Sequence, residues 1–526
     1  MLFTSLSFLC FLLIVLAAYY LLPHRFQPWI LLAASLFLYC SLSRKLVVFV
    51  LFSAGVAWLT ALWMDNQNQK EKQAVKAAKA AGAGKEERAA VKRPFQRRKL
   101  LFMLAAWGCN LGLLLIFKFY NLFAEAVRAY GAALPVLAIA MPLGISFYTL
   151  QLLSYTMDVY HGQQAAEKNY FRCLLFTCYF PQIMQGPISR WAQLGPQFEK
   201  AHTFDWNRFV MGASRILWGY FKKLVIADRF AIVTSALYNG YETYTGVYVA
   251  VAAVLYTIQL YTDFSGGIDI ALGASSMLGI DLPENFKRPL FSKTIDEFWR
   301  RWHMTLGAWL RDYIFYPVTF SKPLAKLNRF FTAHKWRWAA KWIPSYIALF
   351  FLWFCSGIWH GEGWQYICNG LWHGLIIMVG NTIAKPCETF WAKHHIAQDN
   401  RWLNAFRVAR TFVFVAIGEI MFGASSFEMM CGMFRGLFSA FNPQILWDGS
   451  LLQLGLDGPD LLVGLLATLV VLTASLLSRD KPLREKIAQK PLALRWGIYI
   501  GGVLIVVVFG IYGANYPATP FIYYQF

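Results

Sequence analysis

Charged side chains are scarce in this chain of 526 residues, because Asp, Glu, Lys and Arg together make up only 15% of it. Hydrophobic residues make up 58%, and long stretches contain no charge at all. A soluble domain carries about 25% charged residues, so the composition argues against one. A helix needs roughly 20 apolar residues to cross a bilayer, and the sequence contains many such runs. We therefore predict an all-α polytopic transmembrane protein.

The apolar runs predict about a dozen transmembrane helices. They lie near Leu2 to Leu22, Trp29 to Cys40, Leu46 to Met64, Leu100 to Phe123, Val136 to Met157, Phe209 to Leu237, Val247 to Tyr261, Ile343 to Ile358, Trp364 to Val379, Val408 to Phe422, Leu461 to Leu477 and Ile498 to Tyr512. Two further apolar stretches, Leu174 to Ile183 and Ile268 to Ile280, contain proline or glycine. They predict re-entrant or interior pieces, which are tolerated only where protein surrounds them.

Lys and Arg are absent from the first 24 positions, so the first apolar run lacks the basic flank of a cleavable signal peptide. The first cation, Arg25, follows this run, and the positive-inside rule then predicts an outward-facing N-terminus. Counting three spans forward places residues 65–99 in the cytoplasm. That stretch carries eleven Lys or Arg against four Asp or Glu, which predicts a solvated, partly helical cytoplasmic loop near anionic lipid. The net charge of +21 is spread over many chain segments and does not indicate nucleic-acid binding.

Paired cysteines are also absent, because the nine cysteines are scattered without a CxxC motif. They predict neither a disulfide framework nor a zinc site. The stretch GIWHGEGWQYICNGLWHG places His360 and His373 thirteen residues apart in two Trp-His-Gly triplets. On one continuous helix the two side chains would point about 220° apart, and the sequence Gly361-Glu362-Gly363 predicts a break between them. No metal site is predicted.

Aromatic and aliphatic residues recur at helical spacing in DEFWRRWHMTLGAWLRDYIFYP, residues 296–317. As one helix, this stretch would place His303 in an apolar stripe with arginines on its flanks. Such a helix suits either a membrane interface, where arginines snorkel, or the wall of a polar cavity. Ionisable groups at membrane depth are costly and indicate function by default, although an isolated histidine is more often structural. The candidates are Asp263, Asp269, His303, His360 and His373.

Seven segments resemble, in order, the membrane-bound O-acyltransferase family, in the branch of alginate O-acetylation and teichoic acid D-alanyl transfer proteins. They are PLGISFYTLQLLSYTMDVYHG, FPQIMQGPISR, GYFKKLVIADR, DFSGGIDIALG, LPENFKRPL, EFWRRWHMTLGAWLRDYIFYP and GIWHGEGWQYICNGLWHG. The resemblance runs from about residue 1 to residue 385, whereas residues 385–526 resemble the family only in hydropathy. It implies a single membrane-embedded domain over residues 1–526, with tilted helices around a central tunnel.

The resemblance implies an enzyme that moves an acyl group, expected to be acetyl, from a cytoplasmic thioester to an extracytoplasmic polysaccharide. The expected donor is acetyl-CoA or an acyl-carrier protein, and no bound cofactor is expected. His360 is expected to be the general base, and His303 to position the thioester or the hydroxyl. Arg301 would meet the negative charge of the donor. Asp263 and His373 are expected to line the donor or substrate tunnel.

The resemblance also implies a bacterial cytoplasmic (inner) membrane as the location. The expected partners are membrane lipid, a membrane-anchored or extracytoplasmic acyltransferase and the glycan acceptor pathway. Two departures from the family pattern stand out. Gly267-Ile268-Asp269 replaces an aromatic followed by Ser-Asp, which weakens a role for Asp269, and the segment from Pro317 to Lys322 lacks a Gly-Gly turn.

Two alternative functions stay open at this point. One is a lipid or protein O-acyltransferase, and the other is a secondary transporter that only moves its substrate. Transporters often contain two repeated halves with broken helices at corresponding positions. This sequence contains no evident internal repeat, and its histidine triplets are concentrated in one part of the chain.

Overall fold

A computed structural model describes residues 3–131, 134–136, 141–512 and 520–525, and this part of the chain is helical without a β-strand. The chain divides into two compact units. The first contains residues 1–212 and 274–283, and the second contains residues 213–273 and 284–526. The single domain over residues 1–526 stays a prediction.

The helices that belong to the first unit, wholly or at their start, account for the predicted spans in this part of the chain. They are α1 (Leu6–Leu21), α2 (Gln27–Ser43), α3 (Val47–Ala80), α4 (Lys85–Ala129), α5 (Ile145–Tyr160), α6 (Tyr170–Cys178), α7 (Phe180–Ile183), α8 (Trp191–Leu194) and α9 (Trp206–Tyr220). The predicted spans beginning at Leu2 and Val136 extend in part outside the described residues.

The basic stretch at residues 65–99 is helical almost throughout, which corrects the expectation of a partly helical loop. Helix α3 ends at Ala80 and α4 begins at Lys85, so only a short turn connects them. Lys99 is buried, donates a hydrogen bond to Asn68 Oδ1 at 2.8 Å and lies 2.7 Å from a carboxylate oxygen of Glu71. Contacts between the two helices therefore replace water around these polar groups. The cytoplasmic location of this hairpin stays a prediction.

The apolar stretch from Leu174 to Ile183 lies inside the first unit, as predicted. Helix α6 ends at Cys178, α7 begins at Phe180, and the side chains of this stretch are buried. Gly144 precedes α5 in the left-handed region, with φ 66°. A Cβ atom at this position would lie 2.3 Å from the carbonyl oxygen of Ile183, so only glycine fits the close approach.

The second unit contains the rest of the helices and two π-helical turns. The helices are α10 (Asp228–Asn239), α11 (Val247–Met277), α12 (Ile295–Trp299), α13 (Met304–Leu310), α14 (Tyr316–Thr319), α15 (Lys322–Ala333), α16 (Arg337–His360), α17 (Trp364–Lys393), α18 (Arg401–Gly423), α19 (Phe427–Ser439), α20 (Gly458–Leu477), α21 (Leu483–Ala488) and α22 (Leu492–Phe509). The π-helical turns are Phe221–Ala227, which joins α9 to α10, and Arg311–Phe315.

The stretch from Ile268 to Ile280 was predicted to be re-entrant or interior. Its side chains are mostly buried, as the interior alternative predicts, but it does not form a separate piece. Helix α11 continues from Val247 to Met277 without a break. Its glycines serve helix packing instead, because a Cβ atom on Gly219 of α9 would lie 2.6 Å from the carbonyl oxygen of Gly266. Small residues at such a contact let two membrane helices approach closely.

Seven helical stretches in the described residues are long and apolar enough to cross a membrane. They are His24–Ala80, Lys85–Ala129, Val247–Met277, Arg337–His360, Trp364–Lys393, Gly458–Leu477 and Leu492–Phe509. The other predicted spans correspond to shorter or more polar helices, among them α1 and α18. The chain is a multi-pass membrane protein of the all-α class.

Candidate active site

His303 does not lie within a continuous helix, which corrects the interpretation of residues 296–317. Helix α12 ends at Trp299 and α13 begins at Met304, while His303 itself adopts the left-handed conformation with φ 44°. A non-glycine residue in that region costs roughly 1–3 kcal/mol and persists only where its surroundings hold it. Here the amide of Met304 donates to the carbonyl oxygen of Asn285 at 3.0 Å. The prediction of one continuous helix was wrong because a hydrogen bond to the Asn285 loop overrides the local apolar periodicity.

Asn285 fixes the protonation pattern of the His303 ring. Its Oδ1 accepts hydrogen bonds from the Thr305 backbone amide at 3.1 Å and from the Thr305 hydroxyl at 2.9 Å. A backbone amide can only donate, so this side-chain atom is the oxygen and not the nitrogen. The Nδ1 atom of His303 lies 3.2 Å from the same oxygen and must therefore donate to it. The other ring nitrogen, Nε2, consequently keeps its lone pair.

The His303 ring is in the form that a proton acceptor needs. Its side chain is only 1% exposed, and Nε2 has no hydrogen-bond partner among the described residues. Burial lowers the pKa of His303 to about 3, because an apolar environment disfavours the charged imidazolium. The ring is therefore neutral at ordinary pH, with an available Nε2 lone pair.

His360 is the last residue of α16, and α17 begins at Trp364. The predicted break at Gly361-Glu362-Gly363 is therefore confirmed. His360 is buried, and its ring centroid lies 4.9 Å from that of Trp359 and 5.2 Å from that of Phe422. The end of a helix thus presents this imidazole inside an aromatic enclosure.

The structure brings His303 and His360 together around two shared aromatic rings. The centroid of Trp359 lies 6.0 Å from His303 and 4.9 Å from His360. The centroid of Tyr523 lies 6.0 Å from His303 and 5.9 Å from His360. Trp359 and Tyr523 come from distant parts of the chain, so their position beside the same two histidines depends on the tertiary structure.

Tyr523 is a site residue that sequence reasoning missed. Its ring stacks on Phe264 of α11 at 4.0 Å, and it is 3% exposed. The only signal in the sequence is the aromatic run FIYYQF at residues 521–526, which has no interpretation by itself. Asn285 was missed for the same reason, because a single amide in a loop carries no pattern.

His373 occupies a different aromatic environment from His303 and His360. Its ring centroid lies 5.0 Å from that of Trp299 and 5.9 Å from that of Trp353. No ring contact joins it to either of the other two histidines in the described part of the chain. A tunnel role for His373 stays a prediction.

The two predicted acidic residues of α11 are each held in buried ion pairs. Asp263 lies 2.6 Å from Lys223 Nζ, and Asp269 lies 2.7 Å from Lys222 Nζ. Asp269 also pairs with Arg215 at 2.8 Å, and Arg215 in turn binds Glu284, the residue before Asn285. The network around Asp269 thus ends at the loop that holds His303.

Arg301 lies beside the site histidine in the sequence but points to a carboxylate. Its guanidinium is 2.6 Å from Glu297 one turn earlier, and its side chain is 31% exposed. An anionic ligand at Arg301 would therefore compete with Glu297.

The geometry supports transfer chemistry on a hydroxyl. Two buried imidazoles share Trp359 and Tyr523 as neighbours, and the hydrogen bond to Asn285 leaves one of them, His303, with a lone pair on Nε2. Such a group can take the proton from a hydroxyl in the transition state. No group of three or more metal-ligating side chains lies together among the residues that the structure covers.

The comparisons with known proteins agree with one another. Residues 167–333 match the family model of the membrane-bound O-acyltransferases. The chain is 31% identical over 446 residues to a Pseudomonas putida protein named "Probable alginate O-acetylase AlgI", covering 84% of this chain and 80% of that relative. It is 26% identical to the peptidoglycan O-acetyltransferase of Helicobacter pylori, covering 64% of this chain and 65% of the relative. It is 31% identical to the teichoic acid D-alanyltransferase of Bacillus subtilis, covering 54% of this chain and 69% of the relative.

Proposed function

Because this chain belongs to the membrane-bound O-acyltransferase family, we propose that it serves the O-acetylation of an extracytoplasmic polysaccharide. The similar proteins named above act on alginate, peptidoglycan or teichoic acid according to their names, and all three are polymers outside the cytoplasm. Two of the three names specify O-acetylation. Of these three relatives, the alginate protein is matched over the largest share of this chain, 84%, which favours acetyl as the transferred group.

One observation carries the proposal. Two buried histidines, His303 and His360, lie beside the same two aromatic residues, Trp359 and Tyr523. In the proposed reaction, a hydroxyl oxygen attacks the carbonyl carbon of an acetyl thioester. His360 accepts the hydroxyl proton, the carbon–sulfur bond breaks, and the proton is passed to the departing thiolate. The products are an acetyl ester and a free thiol.

His303 takes the second role in this proposal. Asn285 holds its ring so that Nε2 can accept a hydrogen bond from a neighbouring hydroxyl of the acceptor glycan, while the only proton of the reacting hydroxyl faces His360. This orients the nucleophile before His360 removes the proton, and correct orientation alone lowers a bimolecular barrier substantially. His373 would line the path of donor or acceptor.

The donor in the proposal is acetyl-CoA or an acetylated acyl-carrier protein, both of which carry phosphate groups. Arg301 would bind that negative charge by exchanging its contact with Glu297 for the donor. We place the protein in the cytoplasmic (inner) membrane of a bacterium, since the similar proteins are bacterial. The proposed partners are a membrane-anchored or extracytoplasmic acyltransferase and the enzymes that produce the glycan.

The first prediction tests the base. His360→Ala should reduce acetyl transfer by about 10² to 10⁴, as expected for loss of a general base, without loss of protein from the membrane. His373→Ala is the matched control and should be milder, because its ring lies against Trp299 and Trp353. Transfer is measured as acetyl ester released from polysaccharide by mild alkali, beside an immunoblot for protein level.

The outcomes separate the candidate functions. Parental transfer by His360→Ala would make His360 structural and remove the proposed mechanism. If His373→Ala lost acetyl transfer while His360→Ala kept it, the base would be His373 of the second Trp-His-Gly triplet. Accumulation of labelled lipid or protein ester in place of acetylated polysaccharide would identify the other acyltransferase class, and uptake without ester formation would identify a transporter.

A further inference from the structure

A buried lysine holds the chain segment that carries Tyr523. Lys223 is 1% exposed and pairs with Asp263 at 2.6 Å and with Asp228 at 2.8 Å. Its Nζ also lies 3.4 Å from the carbonyl oxygen of Pro520 and 4.7 Å from the ring centroid of Phe521. One cation thus contacts two carboxylates, a carbonyl and an aromatic face.

Asp263 binds the same segment directly. One carboxylate oxygen faces Lys223, and the other accepts a hydrogen bond from the Ile522 amide at 3.0 Å. The residues that follow Asp263 and Ile522 are also in contact. The rings of Phe264 and Tyr523 stack with their centroids 4.0 Å apart and an interplanar angle of 26°. The backbone contact at Ile522 therefore fixes the approach of Tyr523 to the histidines.

The π-helical turn Phe221–Ala227 makes this arrangement possible. A π-turn changes the helical hydrogen-bond pattern locally, and such turns are frequent at functional sites. The carbonyl oxygen of Leu224 in this turn accepts a hydrogen bond from the Ile511 amide at 2.9 Å. The chain is therefore attached to the same turn at Ile511 and again at Pro520.

We propose that Asp263, together with Lys223 and Asp228, is a positioning site that anchors the segment Pro520–Gln525 and so fixes Tyr523 beside both His303 and His360. A surface salt bridge would not suffice for this, because water would exchange with it freely. Here all three ionic side chains are at most 5% exposed, and the anchored segment contributes a backbone amide and a carbonyl. This replaces the tunnel-lining role that the sequence suggested for Asp263. Its effect on acetyl transfer rests on the proposed function.

The anchor is tested first without any enzymatic assay, by hydrogen exchange of the purified full chain in detergent. Mass spectrometry follows the peptide that contains Ile522. In Asp263→Ala this amide loses its acceptor and should exchange at least about tenfold faster, as expected when a protecting hydrogen bond is lost. Asp263→Asn keeps one oxygen for the two donors, Lys223 Nζ and the Ile522 amide, so its exchange rate should lie between those of the parental chain and Asp263→Ala.

Asp269→Ala is the matched control. Asp269 lies on the same helix as Asp263, and it pairs with Lys222, the residue before Lys223 in the π-helical turn. It should leave the exchange of Ile522 unchanged. If Asp263→Ala fails to accumulate, Phe521→Leu replaces it, since this change removes the aromatic face from Lys223 and leaves the ion pairs intact. Faster exchange in either variant supports the anchor, and parental exchange overturns it.

Acetyl transfer provides the second measurement. Asp263→Ala should lower kcat at least about tenfold with little change in the KM of the thioester, and Asp263→Asn, which keeps one of the two acceptor oxygens, should recover part of the loss. Equal losses in the Ala and Asn variants would overturn a positioning role, because only the Asn variant keeps the acceptor. Absence of transfer by the parental chain would refute the proposed function, whereas the exchange result would still decide the anchor.

Discussion

At the scale of single residues, a buried amide determines what His303 can do. Asn285 is fully buried, and its side-chain oxygen accepts hydrogen bonds from the Thr305 backbone amide and from His303 Nδ1. The same oxygen thus sets the ring orientation and its tautomer. A ring held with Nε2 unprotonated can accept a hydrogen bond but cannot donate one from that atom.

The prediction at this scale concerns Asn285→Leu, which removes the acceptor and keeps the side-chain volume similar. We expect acetyl transfer to fall about tenfold to a hundredfold, because each lost hydrogen bond to a buried group costs about 1–3 kcal/mol and about 1.4 kcal/mol corresponds to a factor of ten. Transfer per unit of membrane protein is the measurement.

Asn369→Leu serves as its control, because Asn369 is also buried but its side chain donates to the Gly418 carbonyl oxygen at 2.8 Å. It should reduce transfer less than Asn285→Leu does. Equal activity of Asn285→Leu and the parental chain would show that the tautomer of His303 is irrelevant to the reaction.

At the scale of helices, α9 and α11 approach so closely that no side chain fits at Gly219, and a Cβ atom on Gly266 would also be tightly packed, at 3.0 Å from the carbonyl oxygen of Gly219. The added Cβ atom at Gly219 would meet Gly266 O at 2.6 Å and Ile270 Cγ1 at 2.7 Å. The close approach also brings Lys222 and Lys223, just after α9, to the two acidic residues of α11. Both the anchor of Tyr523 and the network near Asn285 therefore depend on this helix contact.

Gly219→Val should accordingly destabilise the protein by more than the roughly 1–3 kcal/mol typical of an overpacked core, because the obstructing atom belongs to the backbone. Gly501→Val in α22 is the control, since no atom lies within 4 Å of a Cβ built there. Thermal unfolding in detergent, followed by size-exclusion chromatography, measures the difference. A melting temperature of Gly219→Val equal to that of Gly501→Val would contradict the tight contact.

At the scale of the whole molecule, the charge distribution predicts the orientation in the membrane. The turn between α3 and α4 contains Gly82, which adopts φ 81° and has no atom within 4 Å of a built Cβ. It lies in the stretch with eleven basic and four acidic residues, and the positive-inside rule places such a stretch in the cytoplasm.

A small fragment of a split fluorescent protein, inserted after Gly82, tests this orientation. Its complementary fragment, expressed in the cytoplasm, should restore fluorescence, whereas the same insertion before Leu2 should give none. Fluorescence from the second insertion alone would reverse the orientation and would put the predicted donor side of Arg301 outside the cell.

The sequence alone determined the features that depend on local composition and period. Apolar runs identified the seven helical stretches in the described part of the chain that are long and apolar enough to cross a membrane, since spanning a bilayer requires a long stretch of compatible residues. They also predicted spans where the structure has shorter or more polar helices. The break between α16 and α17 at Gly361-Glu362-Gly363 was also predicted from the sequence, because glycine disfavours helix continuation locally. Motif resemblance selected His303 and His360 without any knowledge of their surroundings.

Only the tertiary structure decided how those residues work together. The left-handed turn at His303 replaced a continuous helix because hydrogen bonds to the Asn285 loop outweigh the local pattern. Lys223 and Asp263 are ordinary charged residues in the sequence and become an anchor only where α11, the π-turn and the segment around Tyr523 meet. Contacts between residues far apart in the chain leave no periodic signal, so the sequence could not reveal them.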